Sequence, residues 1–172
     1  MKYRWLLLPI LLFCCDLSFA NDRKMIFGYV EKATLLDENM VLSAKLDTGA
    51  KSSSLSAIDV EEFQKNGKAF IHFKVPGKDK TVAFKAPYLG KVKIKVRSQE
   101  HSPDIKPGPI KRPVVLMRIQ LGSEIRDIRV NLTNRKRFNY PLLLGRDAII
   151  AFGGLVDPNR TFLLKAENLE KK

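Results

Sequence analysis

The segment KLDTGAKSSSLSA, residues 45–57, places one aspartate in a Thr-Gly turn at the end of an apolar strand pattern. A carboxylate at the end of a buried strand is costly unless it is hydrogen bonded or paired. Gly49 permits a sharp turn in which backbone N–H groups face the Asp47 carboxylate, and the Thr48 hydroxyl can bond outwards. A carboxylate held in this way can act as a general base. The triplet alone does not establish that chemistry, because it also occurs in ordinary surface turns.

The sequence lacks the motifs of several other kinds of catalytic and nucleotide-binding site. The histidines are His72 and His101, and no His-Glu-x-x-His segment is present, so a zinc peptidase of that type is not supported. His72 lies in a predicted strand, and we expect it to be structural or exposed. The sequence has no Walker loop for ATP and no Gly-x-Ser-x-Gly elbow for a hydrolase serine. We therefore expect neither a metal nor another cofactor.

Residues 1–20, MKYRWLLLPILLFCCDLSFA, follow the pattern of a secretory signal peptide. Lys2 and Arg4 supply the positive start, residues 6–15 the apolar stretch, and residues 18–20 a small-x-small cleavage site. The apolar run is shorter than the roughly 20 residues of a membrane span. This pattern predicts cleavage after the twentieth residue.

Removal of this leader leaves residues 21–172, enough for one domain with a full hydrophobic core. Cys14 and Cys15 would leave with it, so the remaining chain would carry no disulfide and no thiolate site. We expect export to the periplasm of a Gram-negative bacterium, with no transmembrane segment after signal removal. Lipoprotein anchoring at Cys14 or Cys15 is the alternative, which bulky Phe13 before the first cysteine disfavours.

The formal net charge of the chain is +13, or +12 once Lys2, Arg4 and Asp16 are removed with the leader. Positive charge favours anionic partners but does not identify a function. The basic residues fall on alternate strand positions, which is typical of a solvated face, and we expect no nucleic-acid partner. A basic module that docks on anionic envelope polymers stays an alternative, and added salt should abolish such binding.

The rest of the sequence predicts strands separated by turns, as in residues 91–96, where apolar residues alternate with lysines. The predicted strands cover residues 25–35, 41–46, 69–75, 81–86, 91–96, 114–121, 125–132, 140–145 and 161–165. Residues 146–152 predict a short helix, residues 157–160 predict a turn, and the prolines of residues 97–113 argue against a regular central strand. Eight or nine short strands with one helical turn predict an all-β barrel or sandwich in a single domain.

Five segments occur in the order of a recurring family pattern: residues 45–53, 96–98, 134–135, 141–146 and 156–158. They resemble the bacterial retropepsin-like aspartic peptidases that are often labelled ATP-dependent zinc proteases. The resemblance covers nearly all of the chain after the leader, which makes it far more specific than Asp-Thr-Gly alone. The zinc and ATP of that label have no motif in this sequence.

The resemblance implies a closed retropepsin-like (acid-protease) β-barrel with one short helix, and an aspartic endopeptidase acting on a peptide or protein substrate. In such enzymes two carboxylates share one proton, one acting as base toward water and the other as acid toward the carbonyl. This sequence contains one Asp-Thr-Gly. The resemblance therefore implies that the catalytic Asp47 pairs with Asp47 of a second identical chain in a homodimer.

The resemblance also implies supporting roles for residues around Asp47. Thr48 would brace the two active-site loops against each other, and Gly49 and Ala50 would support the loop that holds the carboxylate. Three further residues would pack beneath the site as a scaffold: Gly145, Arg146 and Asp147.

Residues 97–112, with Gly108 among prolines and charges, are the predicted flap that closes over the substrate. An ordinary surface connection is the alternative for this loop. For the whole domain the alternative is a non-catalytic module that uses the same fold to bind a peptide or an envelope partner, because a fold alone does not define function.

Overall fold

Strands dominate the computed structural model, which describes residues 24–94 and 110–164. In chain order the elements are β1 (Met25–Leu35), a 3-10 helix (Leu36–Glu38), β2 (Met40–Asp47), β3 (Ser53–Ser56), β4 (Ile58–Lys65), β5 (Lys68–Pro76), β6 (Thr81–Ile94), β7 (Ile110–Leu121), β8 (Glu124–Thr133), β9 (Leu142–Gly145), α1 (Arg146–Ala151) and β10 (Gly154–Thr161). The signal peptide predicted for residues 1–20 lies outside the described residues. So do residues 97–109 of the predicted flap.

Six of the strands close a barrel in the order β1-β2-β9-β3-β8-β7, because β1 also pairs with β7 at residues 33–35. Strand β10 joins the outer side of this barrel as a parallel partner of β1. Strands β6, β5 and β4 extend from β7 as an antiparallel arm. The prediction of an all-β, closed retropepsin-like barrel with one short helix is confirmed.

Alternation of side chains explains how β2 contributes to the core. Leu42, Ala44 and Leu46 are buried, whereas Ser43 and Lys45 point away from the core. The interior also receives large apolar side chains from the other barrel strands: Phe27, Leu35, Leu55, Met117, Ile119, Val130, Leu142 and Leu144. Each large side chain buried in this way stabilises the fold by roughly 1.5–3 kcal/mol relative to exposure.

Two strands, β3 and β4, were not predicted from the sequence, in which no strand was expected within residues 51–68. Strand β3, SSLS, is buried at every position between β8 and β9, so it shows no alternation and is rich in serine. Strand β4, IDVEEFQK, pairs with β5 alone and is mostly exposed. Its acidic residues are typical of a loop, so the sequence did not indicate a strand here.

The division of residues 81–96 into two strands was also wrong. Thr81–Ile94 is one strand whose register with β7 shifts between Tyr88 and Lys91, next to Gly90 with its positive φ of 97°. Residues 110–113 belong to β7 despite Pro113, which pairs with Lys91 beside that irregularity. Proline is tolerated where a bulge interrupts the ladder.

The last strand lies earlier than predicted, at Gly154–Thr161 rather than residues 161–165. Residues 157–160, which were predicted to form a turn, lie in β10 where its register with β1 shifts between Gly28 and Val30. There the Asp157 side chain accepts a hydrogen bond from the Asn159 N–H at 2.9 Å, so turn-type residues are accommodated inside a strand. None of the helices within residues 24–94 and 110–164 combines the length and apolar character that crossing a membrane requires.

Candidate active site

Two parallel strands bring Asp47 beside the start of the helix. Strands β2 and β9 pair in parallel, with Leu46 opposite Leu144 and Asp47 opposite Gly145. Both leucines are buried, so the core fixes the ends of the two strands. The Asp47 side chain therefore leaves the barrel next to Gly145, where α1 begins.

The Asp47 carboxylate is held by its own turn, as the sequence predicted. Its Oδ1 accepts hydrogen bonds from the N–H groups of Gly49 at 3.0 Å and Ala50 at 3.3 Å. Its Oδ2 lies 3.6 Å from Lys45 Nζ, and the side chain stays 28% exposed. A Cβ at Gly49 would lie 3.2 Å from Oδ1, a tight contact that favours glycine at this position. The carboxylate is thus oriented, ion-paired and still accessible to solvent.

The active-site loop, residues 47–50, rests on the first turn of α1. The Thr48 carbonyl accepts a hydrogen bond from Arg146 Nη1 at 3.0 Å, while the Thr48 side chain is exposed. The Arg146 N–H donates to the Ala50 carbonyl at 2.9 Å, and the Asp147 N–H donates to the Lys51 carbonyl at 3.1 Å. These three hydrogen bonds bring together the loop and the predicted scaffold residues.

Gly145 is required by close packing rather than by its backbone angles. A Cβ there would lie 2.7 Å from the Ser52 carbonyl oxygen and 2.8 Å from that of Lys51. The Gly145 N–H donates to Ser53 Oγ at 3.2 Å, and the Asn131 side-chain amide donates to the Ser53 carbonyl. Sequence reasoning did not single out Ser53 or Asn131.

A cleft of about 620 Å³ opens beside the active-site loop. It lies among the segment after the loop, the end of β6, the middle of β8 and α1. Its charged lining residues are Lys51, Lys93, Arg129, Asp127 and Asp147. The lining of this cleft carries three cations against two anions.

His72, the histidine within the described residues, does not join this site. It lies on β5 in the arm, where its exposed ring packs edge-on against Phe63 at 4.4 Å between centroids, as the prediction of a structural or exposed side chain requires. His101 lies outside the described residues. Within residues 24–94 and 110–164, no group of three or more His, Cys, Asp and Glu side chains could hold a metal ion.

Similar proteins share parts of this chain. Relatives named "Probable alpha-L-glutamate ligase" occur in Shewanella halifaxensis (31% identical, over 86% of this chain and 31% of the relative) and in Parasynechococcus marenigrum (32% identical, over 79% and 28%). The chain thus spans about a third of the length of these curated relatives. The crystal structure of Lpg0085 from Legionella pneumophila, described as a protein of unknown function, is 55% identical with a TM-score of 0.73 and covers 83% of this chain and 100% of Lpg0085.

The family comparison agrees with the fold and with the turn around Asp47. Residues 26–167 match the model of the RimB-like family, described as "Retropepsin-like aspartic endopeptidase RimB". That match spans the whole barrel, including the active-site loop and the Gly-Arg-Asp segment beneath it. The chain belongs to the RimB-like family of retropepsin-like proteins.

Proposed function

We propose that the chain is an aspartic endopeptidase that cleaves peptide bonds with a water molecule activated between the Asp47 carboxylates of two identical chains. The observation that carries this proposal is the Asp47 side chain, which Gly49 and Ala50 hold while it stays 28% exposed. A general base must contact water in a defined orientation, and a fixed but accessible carboxylate meets that need. Membership of the family supports the same class of reaction.

The reaction needs one proton shared by the two carboxyl groups. The ionised carboxylate takes a proton from water as the water oxygen bonds to the peptide carbonyl carbon, and the protonated carboxyl gives its proton to the carbonyl oxygen. The resulting diol then loses the C–N bond: one carboxyl protonates the leaving nitrogen, and the other takes a proton from a diol hydroxyl. The products are a carboxylic acid and an amine, and the pair again holds one proton.

The second carboxylate comes from a second chain in this proposal. Each chain has a single Asp-Thr-Gly, and a two-fold axis would set the same loop of two chains face to face. Thr48 is exposed in the loop, which supports a contact with the second copy in this proposal. The Arg146 and Ala50 hydrogen bond would keep each loop in position during the encounter.

Glutamate-containing peptides are the first substrates to test. Two relatives carry the name alpha-L-glutamate ligase, and this chain aligns with about a third of each. The cleft beside the active-site loop has Lys51, Lys93 and Arg129 against Asp127 and Asp147, so its lining is positive by one charge. Complementary charge favours an acidic side chain in such a cleft.

A second candidate is a non-catalytic module that binds peptides on the same fold. The observation that favours it is the Lys45 ammonium, 3.6 Å from Asp47 Oδ2, because it lies beside the oxygen that the backbone N–H groups of the turn leave open. A carboxylate covered on that side is less able to act on a water molecule. Both candidates would bind a peptide on the same fold, and only the endopeptidase would cleave it.

The deciding experiment exposes the full chain to an acidic and a neutral peptide library at several pH values, with mass spectrometry of the products. Asp47→Asn is nearly isosteric but cannot act as base, so we expect its cleavage to be lost. Asp79→Asn, an exposed carboxylate in the β5–β6 turn, is the matched control and should cleave normally. Peptide binding without any products, in both the native chain and Asp47→Asn, would favour the non-catalytic module.

We further propose that residues 1–20 direct export to a periplasm. The support is the charged start, apolar stretch and small-x-small end of that segment. Mass spectrometry of protein recovered from the periplasm should give an N-terminus at Asn21. An acylated Cys14 or Cys15 would show lipid anchoring instead.

A further inference from the structure

Ser53 joins two strands at the point where their pairing ends. The register of β3 with β9 ends at Leu143, two residues before Gly145. The Gly145 N–H instead donates to a side chain, the Ser53 hydroxyl oxygen at 3.2 Å. Both residues are buried, and a buried N–H that loses its acceptor destabilises the structure around it. The Ser53 hydroxyl therefore keeps the end of β9 attached to β3.

Gly145 is the residue of β9 that lies beside Asp47. The two are register partners in the parallel pair of β2 and β9. Gly145 also packs closely against the main chain of Lys51 and Ser52, because an added Cβ would lie within 2.8 Å of both carbonyl oxygens. A shift of Gly145 would therefore move the strand end that carries Asp47 and the segment that follows the active-site loop.

Asn131 on β8 holds Ser53 from the other side. Its side-chain amide donates to the Ser53 carbonyl, and its Oδ1 accepts a hydrogen bond from Arg112 Nη1 at 3.4 Å. Asn131 is buried, so its donor and its acceptor are satisfied within the protein. Side-chain hydrogen bonds thus join β7, β8, β3 and β9 in order, and β9 pairs with the strand of Asp47.

The neighbouring Ser54 is buried without such a bond. Its hydroxyl has no hydrogen-bond partner among the described residues. Its main chain lies in the same strand, opposite Asn131 on β8 and Leu143 on β9. Two buried serines therefore stand side by side, and only the Ser53 hydroxyl bonds to the support of Asp47. This difference separates a role at the site from the general packing of small residues in β3.

We propose that Ser53 is a positioning residue for the reaction, which fixes the place of Asp47 through Gly145, and that Asn131 fixes Ser53. The inference rests on the proposed function, in which Asp47 acts on the water molecule. The described residues that line the cleft do not include Ser53, and its hydroxyl is buried against Gly145. Ser53 therefore acts on the reaction through the position of Asp47 and not by contact with the substrate.

The first experiment compares Ser53→Ala with Ser54→Ala, using the library peptide that the native chain cleaves best. In Ser53→Ala we expect kcat to fall about tenfold and KM to stay within about twofold, because a displaced catalytic group lowers the rate while the cleft is kept. Ser54→Ala removes the same atom from the adjacent buried serine and should keep the native kcat and KM. Asn131→Asp replaces the N–H that faces the Ser53 carbonyl by an oxygen, so it should also lower kcat.

Hydrogen exchange of the backbone amides, followed by NMR, gives a measurement that does not depend on cleavage. The Arg146 and Asp147 amides donate to carbonyls of the active-site loop and of the residue after it. We expect both to exchange about fivefold faster in Ser53→Ala, because the support beneath the loop opens locally. The amide of Phe73, buried in the arm, should exchange at the native rate, whereas a loss of overall stability would accelerate it too.

The results distinguish this inference from the proposed function. A native chain that cleaves no peptide would overturn both. A native chain that cleaves, with Ser53→Ala and Ser54→Ala equal to it in kcat, would overturn the positioning role alone. So would a fall in kcat with Arg146 exchanging at the native rate, or with Phe73 exchanging faster as well, because in neither case would Ser53 act through the support of Asp47.

Discussion

The Lys45 ammonium lies 3.6 Å from Oδ2 of Asp47, two residues further along β2. Alternation along the strand puts both side chains on the side away from the core. Together with the N–H groups of Gly49 and Ala50 on Oδ1, this contact gives each carboxylate oxygen a positive or N–H partner. Together these partners fix the direction in which the carboxylate points.

We expect Lys45→Met to lower cleavage per folded chain. The ammonium 3.6 Å from Oδ2 helps to fix the direction of the Asp47 carboxylate, and methionine removes that charge. The loss should be a few-fold, since a partly exposed ion pair contributes only about 0.2–1 kcal/mol. Cleavage rates of both proteins at one pH measure this.

Lys78→Met, in the exposed β5–β6 turn, removes the same charge away from the site and should leave cleavage unchanged. Lys45→Arg keeps the charge and should retain the native cleavage. Equal cleavage by Lys45→Met and by the native chain would show that the ion pair does not orient the carboxylate.

The turn around Asp47 was predictable from the sequence because its interactions are local. The hydrogen bonds to Oδ1 span only two and three residues, and Gly49 is required beside them. The alternation in β2 was equally visible, because that strand buries one face against the barrel interior. A local sequence pattern is enough to predict a strand when one face of the strand contacts solvent and the other is buried.

The support beneath the loop was not predictable from the residues alone. Arg146 and Thr48 are 98 positions apart, and only the family resemblance placed them together. The bond from Asn131 to the Ser53 carbonyl spans 78 positions and joins a strand whose four residues are all buried. Strand β3 has neither alternation nor strand-favouring residues, so its place is decided by the strands that enclose it.

Gly145→Ala tests how tightly the loop is held. The new methyl would meet the Ser52 and Lys51 carbonyl oxygens at 2.7 and 2.8 Å, both in the backbone. We expect the free energy of unfolding to fall by about 1–3 kcal/mol and cleavage to fall with it, because the displaced loop carries Asp47. Urea unfolding and cleavage per folded chain are the measurements.

Gly67→Ala is the control for this change. Gly67 has a positive φ of 70° in the β4–β5 turn and nothing within 4 Å of a new Cβ. It should lose about 1 kcal/mol from backbone strain without losing cleavage per folded chain. Equal cleavage in both variants would show that Gly145 does not position the loop.

A further test concerns Glu31, a fully buried carboxylate on β1. Its Oε1 accepts from the N–H groups of Gly28 at 2.7 Å and Leu163 at 2.9 Å, and its Oε2 accepts from Leu164 at 3.2 Å. Glutamine would turn an NH₂ group toward at least one of these donors. We expect Glu31→Gln to lower the free energy of unfolding by about 2–3 kcal/mol.

Urea denaturation of Glu31→Gln, beside the exposed Glu38→Gln as control, measures that loss. The control should change stability little, because its carboxylate is hydrated. A Glu31→Gln protein as stable as the native chain would mean that the segment at residues 163–164 does not depend on this carboxylate.

Mixing native and Asp47→Asn chains tests whether catalysis needs two of them. If each active site takes one Asp47 from each chain, a mixed dimer holds a single carboxylate and is inactive. An equimolar mixture at constant native concentration should then lose about half of its native activity when random pairing is complete, since half of the native chains pair with the variant. Independent monomeric sites would lose none. Asp79→Asn chains, which keep Asp47, are the control and should raise the total activity when they are added in the same amount. Cleavage that is insensitive to added Asp47→Asn, under conditions where sedimentation shows mixed dimers, would rule out the shared carboxylate pair.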